Sequence, residues 1–412
     1  MKASILTIGD EILIGQVVNT NSSWLSKKLN DIGITVNTVL AIGDNKSQIT
    51  NSLDILLPHS DIILITGGLG PTNDDITKDV LAEYFNTKLI YDELVYKNIE
   101  NIFEKTNSTI NKNNMRQAYV PENAQILMNK YGTAPGMLFK KNEKFIFSLP
   151  GVPIEMQYIF ETHIVPFLTE NFVQSKITHK TFIIIGIPES ILAEKIEDWE
   201  NNLPYYIKVA YLPNYGYIRL RLSIYDSDEE KNNILKQKTE DLKNIVSDNL
   251  ISEEDISLEE LLGKMLKDNQ KTVATAESCT GGKIASLITS IPKSSSYFVG
   301  SIVSYSNNVK TNILNVNKTD IEKYGAVSQT VVEQMAIGIL KLLKTDYSIA
   351  TSGIAGPDGG TKEKPVGTIW IAVASKDKII SREYHFSSDR NINILRSAYT
   401  GINMLIKLIK NN

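Results

Sequence analysis

The chain has 412 residues, 43 Lys and Arg against 47 Asp and Glu, and a formal net charge of -4. At 42% hydrophobic and 22% charged residues it has the composition of a soluble globular protein of roughly two to three domains, and with no basic excess nucleic acid is not an expected partner. A single cysteine, Cys279, excludes an internal disulfide and any Cys-cluster metal centre and suits a reducing cytoplasm, while the early Asp10 and Glu11 and the lack of any run near ~20 apolar residues argue against a signal peptide, a membrane span and a membrane partner.

Residues 1–170 alternate strand-like and helix-like segments. "ASILTIG", "TVNTVLAIG", "SDIILITGG" and "KFIFSLPG" read as strands. Between them, "NTNSSWLSKKLNDIG", "DDITKDVLAEYFN" and "PIEMQYIFETHIVPFLTENF" read as helices, the second capped by Asp74 or Asp75. Such alternation predicts a parallel sheet covered on both faces. Residues 171–250 read as a small β-α-β-β-α module ending in a long charged helix. From 251 to 412 a second α/β domain is expected, opening with "SLEELLGKMLKDNQ" and then "TVATAESCTGGKIASLIT". Strands follow at "YFVGSIVSYS", "DYSIATSGIAG", "VGTIWIAVAS" and "KIISREYHF", with helices at 328–343 and 389–409. The fold class is therefore α/β: two α/β domains joined by a small α+β module.

In the N-terminal domain, chemistry-bearing residues gather at strand ends. Asp10 and Glu11 follow the first strand, and Asn19 lies just beyond. Gly67, Gly68 and Gly70 follow another, with Asn73, Asp74 and Asp75 behind them; Gly132 and the Pro150–Gly151 turn come later. Glycines permit phosphate approach, and adjacent carboxylates suit a divalent cation. The stretch is neither a P-loop nor a G-x-G-x-x-G fingerprint. The simpler alternative is that the two aspartates cap a helix and the glycines turn the chain.

In the C-terminal domain "AESCTGG" places Ser278 at a strand–turn–helix junction. Free N–H groups at the helix start would favour a developing oxyanion, with Thr280 as a cap and Gly281 and Gly282 leaving room for a ligand. A serine nucleophile needs a base. Of His59, His163, His179 and His385 only the last falls in this domain, and nothing marks it, so a Ser-His-Asp triad is poorly supported. "VSYSNNVK" offers Tyr305 and Lys310 instead, provided the lysine pKa is lowered. "ATSGIAGPDGGTKEKP", with Thr351, Gly353, Gly356 and Gly360, is a second Gly-rich loop at a strand end. Only six arginines occur, which singles out Arg390 and Arg396 in "HFSSDRNINILRSA"; Arg390 would suit a phosphate. Cys279 is the rival nucleophile, and a packed thiol is the simpler reading of it.

"AESCTGG", "VSYSNNVK", "TSGIAGPDGGT" and "FSSDR…LR" resemble the signature blocks of the CinA (competence/damage-inducible protein A) C-terminal domain, the nicotinamide-nucleotide amidohydrolases. "TGGLGPTNDDIT" and "LPGVPIEM" resemble its molybdopterin-binding-like N-terminal domain. The middle segment is similar to the family's KH-like insert, without a GXXG loop. The resemblance implies deamidation of nicotinamide mononucleotide to nicotinic acid mononucleotide and ammonia, with Ser278 as nucleophile, Lys310 as base and Tyr305 assisting, and no cofactor. It implies ADP-ribose pyrophosphatase activity for the N-terminal domain, with a divalent metal on Asp74 or Asp75, and a homodimer. The alternatives are a pterin- or molybdenum-cofactor-related binding protein with a degenerate hydrolase domain, and a competence-associated interaction protein.

Overall fold

The computed structural model describes residues 1–172 and 176–411. Residues 173–175, inside the range expected for the middle module, and residue 412 lie outside them. Two compact units are present: residues 1–178 with 224–232, and residues 179–223 with 233–412.

In the first unit, strand Lys2–Ile8 lies between Thr35–Ile42 and Ile62–Thr66, and Lys144–Leu149 follows beside Ile62–Thr66, all parallel. Gly136–Lys141 and Gln125–Leu127 then extend the sheet antiparallel, so it is mixed rather than wholly parallel. Gln125–Leu127 is only three residues long, and Gly136–Lys141 leads by a two-residue turn into Lys144–Leu149, which leaves little periodicity to read. Ile5, Leu64 and Phe147 pack to one face, and Leu6, Ile63, Ile65 and Ile146 to the other. Burial on both sides is why "IILIT" is continuously apolar. The segment expected as one helix over 153–172 runs as Pro153–Ile159, a π turn Phe160–Ile164, and Val165–Asn171. Pro166 has no N–H to continue the α-helical ladder.

The second unit contains the small module and the C-terminal domain. The module's four strands run in the order Ile207–Asn214, Tyr217–Ile224, Thr178–Ile185 and Leu250–Ser252, with helices Glu189–Asn201 and Glu229–Ile245. The C-terminal sheet runs Phe298–Val303, Val273–Glu277, Tyr347–Gly353, Thr368–Ser375 and Ile379–His385. Its first three strands are parallel and the last two antiparallel. Ile349, Ile369, Ile371 and Val373 pack on one face with Ile402 and Leu405 of the last helix, Arg390–Lys410. Ala274, Ala276, Ala350, Ala372 and Ala374 line the other face, where small side chains let helix Gln329–Leu343 sit close.

Two features bear directly on the site. The strand expected to reach Ser306 ends at Val303, so Ser304 and Tyr305 leave the sheet. Helix Asn307–Leu314 follows, capped by Ser306 and carrying Lys310. Its Asn-rich sequence has weak helix propensity, so capping and packing form it. Gly338 sets its distance: a Cβ there would lie 2.0 Å from Leu314 O, at the end of that helix. Gly338→Ala is therefore expected to destabilise the fold by about 1–3 kcal/mol, lowering the thermal midpoint by several degrees; an unchanged melting curve would show that the two helices do not depend on this close approach.

Candidate active site

Val273–Glu277 is a fully buried strand, second in the five-stranded C-terminal sheet between Phe298–Val303 and Tyr347–Gly353, and Ser278 is the first residue beyond it. Its N–H donates to Thr351 O at 3.0 Å, fixing the turn against the neighbouring strand. Ser278 is 9% exposed and Lys310 1% exposed. Lys310 Nζ lies 3.1 Å from Ser278 Oγ, 2.7 Å from Ser304 O and 3.2 Å from Tyr305 O. Burial pulls the amine below its ordinary value of 10.5. No carboxylate pairs with it among the described residues. A neutral amine has two N–H donors and one lone pair. With the two carbonyls accepting both protons, the lone pair is left for the serine hydroxyl, as a base requires.

Glu277 is fully buried and takes the helix start that sequence reasoning reserved for an oxyanion. Its carboxylate accepts from Gly282 N (3.1 Å), Ile284 N (3.0 Å), Ala285 N (2.8 Å) and Thr275 Oγ1 (3.2 Å). Helix Lys283–Thr289 is therefore capped by Glu277. Thr280 does not cap it: its hydroxyl is 2.7 Å from Thr351 Oγ1. The donors left beside Ser278 are the N–H groups of Cys279 and Thr280, neither of which donates to another residue's oxygen among the described residues. Cys279 is 6% exposed and packs in the apolar core, and burial pushes its thiol up to about 12. It is a core residue rather than an activated nucleophile.

Tyr305 is 66% exposed and holds the lysine through its carbonyl, while its hydroxyl turns away to Arg390 Nη2 at 3.5 Å. Arg390 Nη1 donates to Gly356 O at 2.7 Å. An unbroken series of contacts thus joins Ser278, Lys310, Tyr305, Arg390 and the second Gly-rich loop. Gly353 and Gly360 serve packing: a Cβ at either would lie within 2.7 Å of Ile369 or Val366 atoms.

In the N-terminal domain the expected residues again meet at strand ends. Asn21 Nδ2 donates to Gly151 O (2.7 Å) and Thr66 Oγ1 (3.2 Å), and Thr66 Oγ1 donates to Pro150 O (3.0 Å). Asn19 caps helix Thr20–Asp31 and donates to Thr7 Oγ1 at 3.1 Å. Gly67 has φ 113°, and a Cβ there would lie 2.1 Å from Ile8 O, so no other residue fits. Asn21 Oδ1 and Thr77 Oγ1 are buried without a partner. Asp10 N donates to Asp44 Oδ2 at 3.2 Å. Burial first, then the charges of Asp10, Glu11 and Asp74, push the Asp44 carboxyl up, against the lowering pull of that N–H.

Asp74 and Asp75 do not cap the following helix, whose first flanking residue Ile76 makes no side-chain cap. Asp75 instead accepts from Thr72 N at 3.0 Å and from the Thr72 hydroxyl, and its carboxylate lies over Gly70. Asp75, one of the pair expected to hold a divalent cation, is thus turned back on its own loop, and among the described residues no three His, Cys, Asp or Glu side chains are grouped around a metal site. Gly132 lies against Glu155, whose carboxylate accepts from Asn129 Nδ2 at 2.6 Å.

Residues 4–170 match the family model of the probable molybdopterin binding domain, 179–252 that of the damage-inducible protein CinA KH domain, and 255–409 that of the CinA C-terminal domain. A CinA-like protein of Flavobacterium psychrophilum is 46% identical over 419 aligned residues, which cover 100% of this chain and 99% of its own. The chain belongs to the CinA family. A CinA-like protein of Cytophaga hutchinsonii is 41% identical over 409 residues, 99% of this chain and 98% of its own. Among solved structures, the competence/damage inducible protein CihA from Agrobacterium tumefaciens is 36% identical, covers 37% of this chain and 94% of that one, and has a TM-score of 0.36. No helix among the described residues is long and apolar enough to cross a membrane.

Within this CinA chain, sequence reasoning missed Glu277, the Ser304 carbonyl, Asn21, Thr66 and Asp44. Glu277 had one available signal, a charged residue ending an otherwise apolar strand. The Ser304 carbonyl had none, since every residue carries one. Replacing Glu277 with Gln would set amide N–H groups or a neutral oxygen against the helix start, a loss on the order of 2–4 kcal/mol. Chemical denaturation should show that loss for Glu277→Gln, whereas Ser278→Ala should change stability by less than about 1 kcal/mol; equal stabilities would mean that the carboxylate does not hold the turn.

Proposed function

We propose that the C-terminal domain hydrolyses the carboxamide of nicotinamide mononucleotide. The observation that carries the reading is the buried Lys310 Nζ 3.1 Å from Ser278 Oγ, with Ser304 O and Tyr305 O as its other neighbours, so that the amine, once neutral, can take the serine proton. Ser278 Oγ attacks the amide carbon while its proton passes to Lys310 Nζ. The Cys279 and Thr280 N–H groups are the nearest donors for the resulting oxyanion. Lys310 returns the proton to the departing nitrogen, the C–N bond breaks and ammonia leaves. Water then attacks the acyl-serine with the same lysine as base, releasing nicotinic acid mononucleotide and restoring the serine. Arg390, anchored on Gly356 O at the mouth, suits the substrate phosphate.

For the N-terminal domain we propose cleavage of ADP-ribose to AMP and ribose 5-phosphate, supported by the polar seam of Asn21, Thr66, Pro150 and Gly151 and by the unpartnered buried oxygens of Asn21 and Thr77. No step is assigned to a metal on Asp74 or Asp75. A pterin occupant would show itself by pterin binding without AMP release.

Ammonia release from nicotinamide mononucleotide should fall by at least about 10³-fold in Ser278→Ala and stay within a few-fold of the parent in Cys279→Ala; the reverse pattern would make the thiol the nucleophile. The pH dependence follows from the lowered lysine. The unfolded chain binds more protons than the native one between the lowered value and 10.5, so the cost of burial is present in full at low pH and is relieved as pH rises through that window. Turnover should rise with pH in the same direction, along a limb centred below 10.5. Lys310→Arg, which cannot lose its proton, should lose that limb and about 10²–10⁴-fold in rate; a rate flat in pH for the parent enzyme would exclude lysine as the base.

A further inference from the structure

The second unit contains a cavity of about 630 Å³ that includes none of the Ser278 constellation. Its walls come from both matched parts of the unit. One side is the face of the last helix carrying Arg396, Thr400, Asn403 and Lys407, three or four residues apart on successive helical turns. The second is the outer strand Ile379–His385 and the residue just beyond it, where Arg382, Tyr384 and Phe386 alternate onto the same side. The third is the module's Gly186 turn and Gly216. A Cβ at Gly186 would lie 2.9 Å from Lys407 Nζ, so this turn lets the lysine reach across.

The chemistry of the lining is one-sided. Arg382, Arg396 and Lys407 face the cavity, and no Asp or Glu does. The three cations form no ion pair among the described residues, whereas Arg116 and Arg219 pair with Asp79 and Asp255. Beside them is an aromatic surface: Tyr384 and Phe386 stack at 5.5 Å with planes 26° apart, and the Arg396 guanidinium lies 4.8 Å from the Phe386 ring centre. Asn403 keeps its amide oxygen buried without a partner. Unpaired guanidinium groups suit phosphate, and a stacked arginine–aromatic surface suits a flat heterocycle. The volume lies within the range of roughly 300–1,000 Å³ typical of small-ligand sites.

We propose that this cavity binds a nucleoside phosphate, at a second site distinct from the catalytic pocket and built jointly by the KH-like module and the C-terminal domain. Because both parts supply walls, the ligand joins them, and a C-terminal domain without the module lacks the site. This gives the single-glycine turn of the module, which has no GXXG loop, a task other than gripping RNA.

The test is equilibrium dialysis of the full chain with labelled AMP and, separately, with inorganic pyrophosphate. The parent is compared with Arg382→Gln/Arg396→Gln, which removes charge, and with Thr400→Trp, which fills the cavity and keeps all three cations. Thermal melting confirms that each variant is folded. One AMP site per chain should weaken by about tenfold or more in both variants. Pyrophosphate should weaken in the charge variant, and amide hydrolysis without added AMP should be unchanged in both. Identical AMP isotherms in the parent and a folded variant would overturn the proposal. So would a single-stranded oligonucleotide whose binding is lost in both variants while AMP binding is not, since nucleic acid would then be the occupant.

Discussion

An amine buried among three oxygen acceptors, with no carboxylate paired to it among the described residues, sets the terms for the C-terminal domain. Placing a lysine at 1% exposure is costly unless it sheds its charge. Here burial pulls the amine below its ordinary value. Two main-chain carbonyls and the serine hydroxyl surround it. Those carbonyls lie where the strand ends at Val303, with Ser304 N–H still donating to Glu277 O at 2.8 Å and the chain turning from there into the helix. The amine reaches them because Gly338 lets helix Asn307–Leu314 approach. Burial, strand end and helix approach are parts of one arrangement, and loosening any of them returns the lysine toward an ordinary ammonium.

Glu277 does the matching work on the other side of the serine. A charged residue with no exposure would be a severe liability without partners. Four donors meet it, three of them from the start of the following helix. The carboxylate thus holds the turn in which Ser278 sits, and it withdraws those same N–H groups from catalysis. That leaves the N–H groups of Cys279 and Thr280 as the free donors next to Ser278. The Cys279 thiol is buried in the apolar core, while the adjacent Ser278 hydroxyl faces Lys310, a difference set by which way each side chain points.

The N-terminal domain uses the same device of strand ends without the same chemistry. Its glycines allow the backbone to pass close to the neighbouring strand, as Gly67 does over Ile8 O. Its carboxylates are spread among the strand-end loops, with Asp75 engaged by Thr72 and Asp44 raised first by burial and then by its acidic neighbours. The polar seam from Asn21 through Thr66 to Pro150 and Gly151 links helix, strand and loop at the place where open α/β sheets receive ligands.

Period and composition were enough to determine the α/β class and most strands and helices, and the resemblance to the family singled out the short blocks that carry Ser278, Tyr305, Lys310 and Arg390. These are properties of local pattern: buried strands are apolar runs, helices repeat, and glycine-rich turns punctuate. Three things were decided only by tertiary structure. The edge strands turned antiparallel, because short hairpins leave almost no periodic signal. The helix carrying Lys310 formed despite a poor intrinsic propensity, because packing outweighs propensity. The partners of the key side chains — a carbonyl for the lysine, backbone N–H groups for Glu277, a threonine for Asp75 — came from main-chain atoms and from residues distant in the chain or facing back on their own loop. Main-chain groups are the same in every residue, so their use as partners leaves no mark in the sequence and is set only when the chain is folded around them.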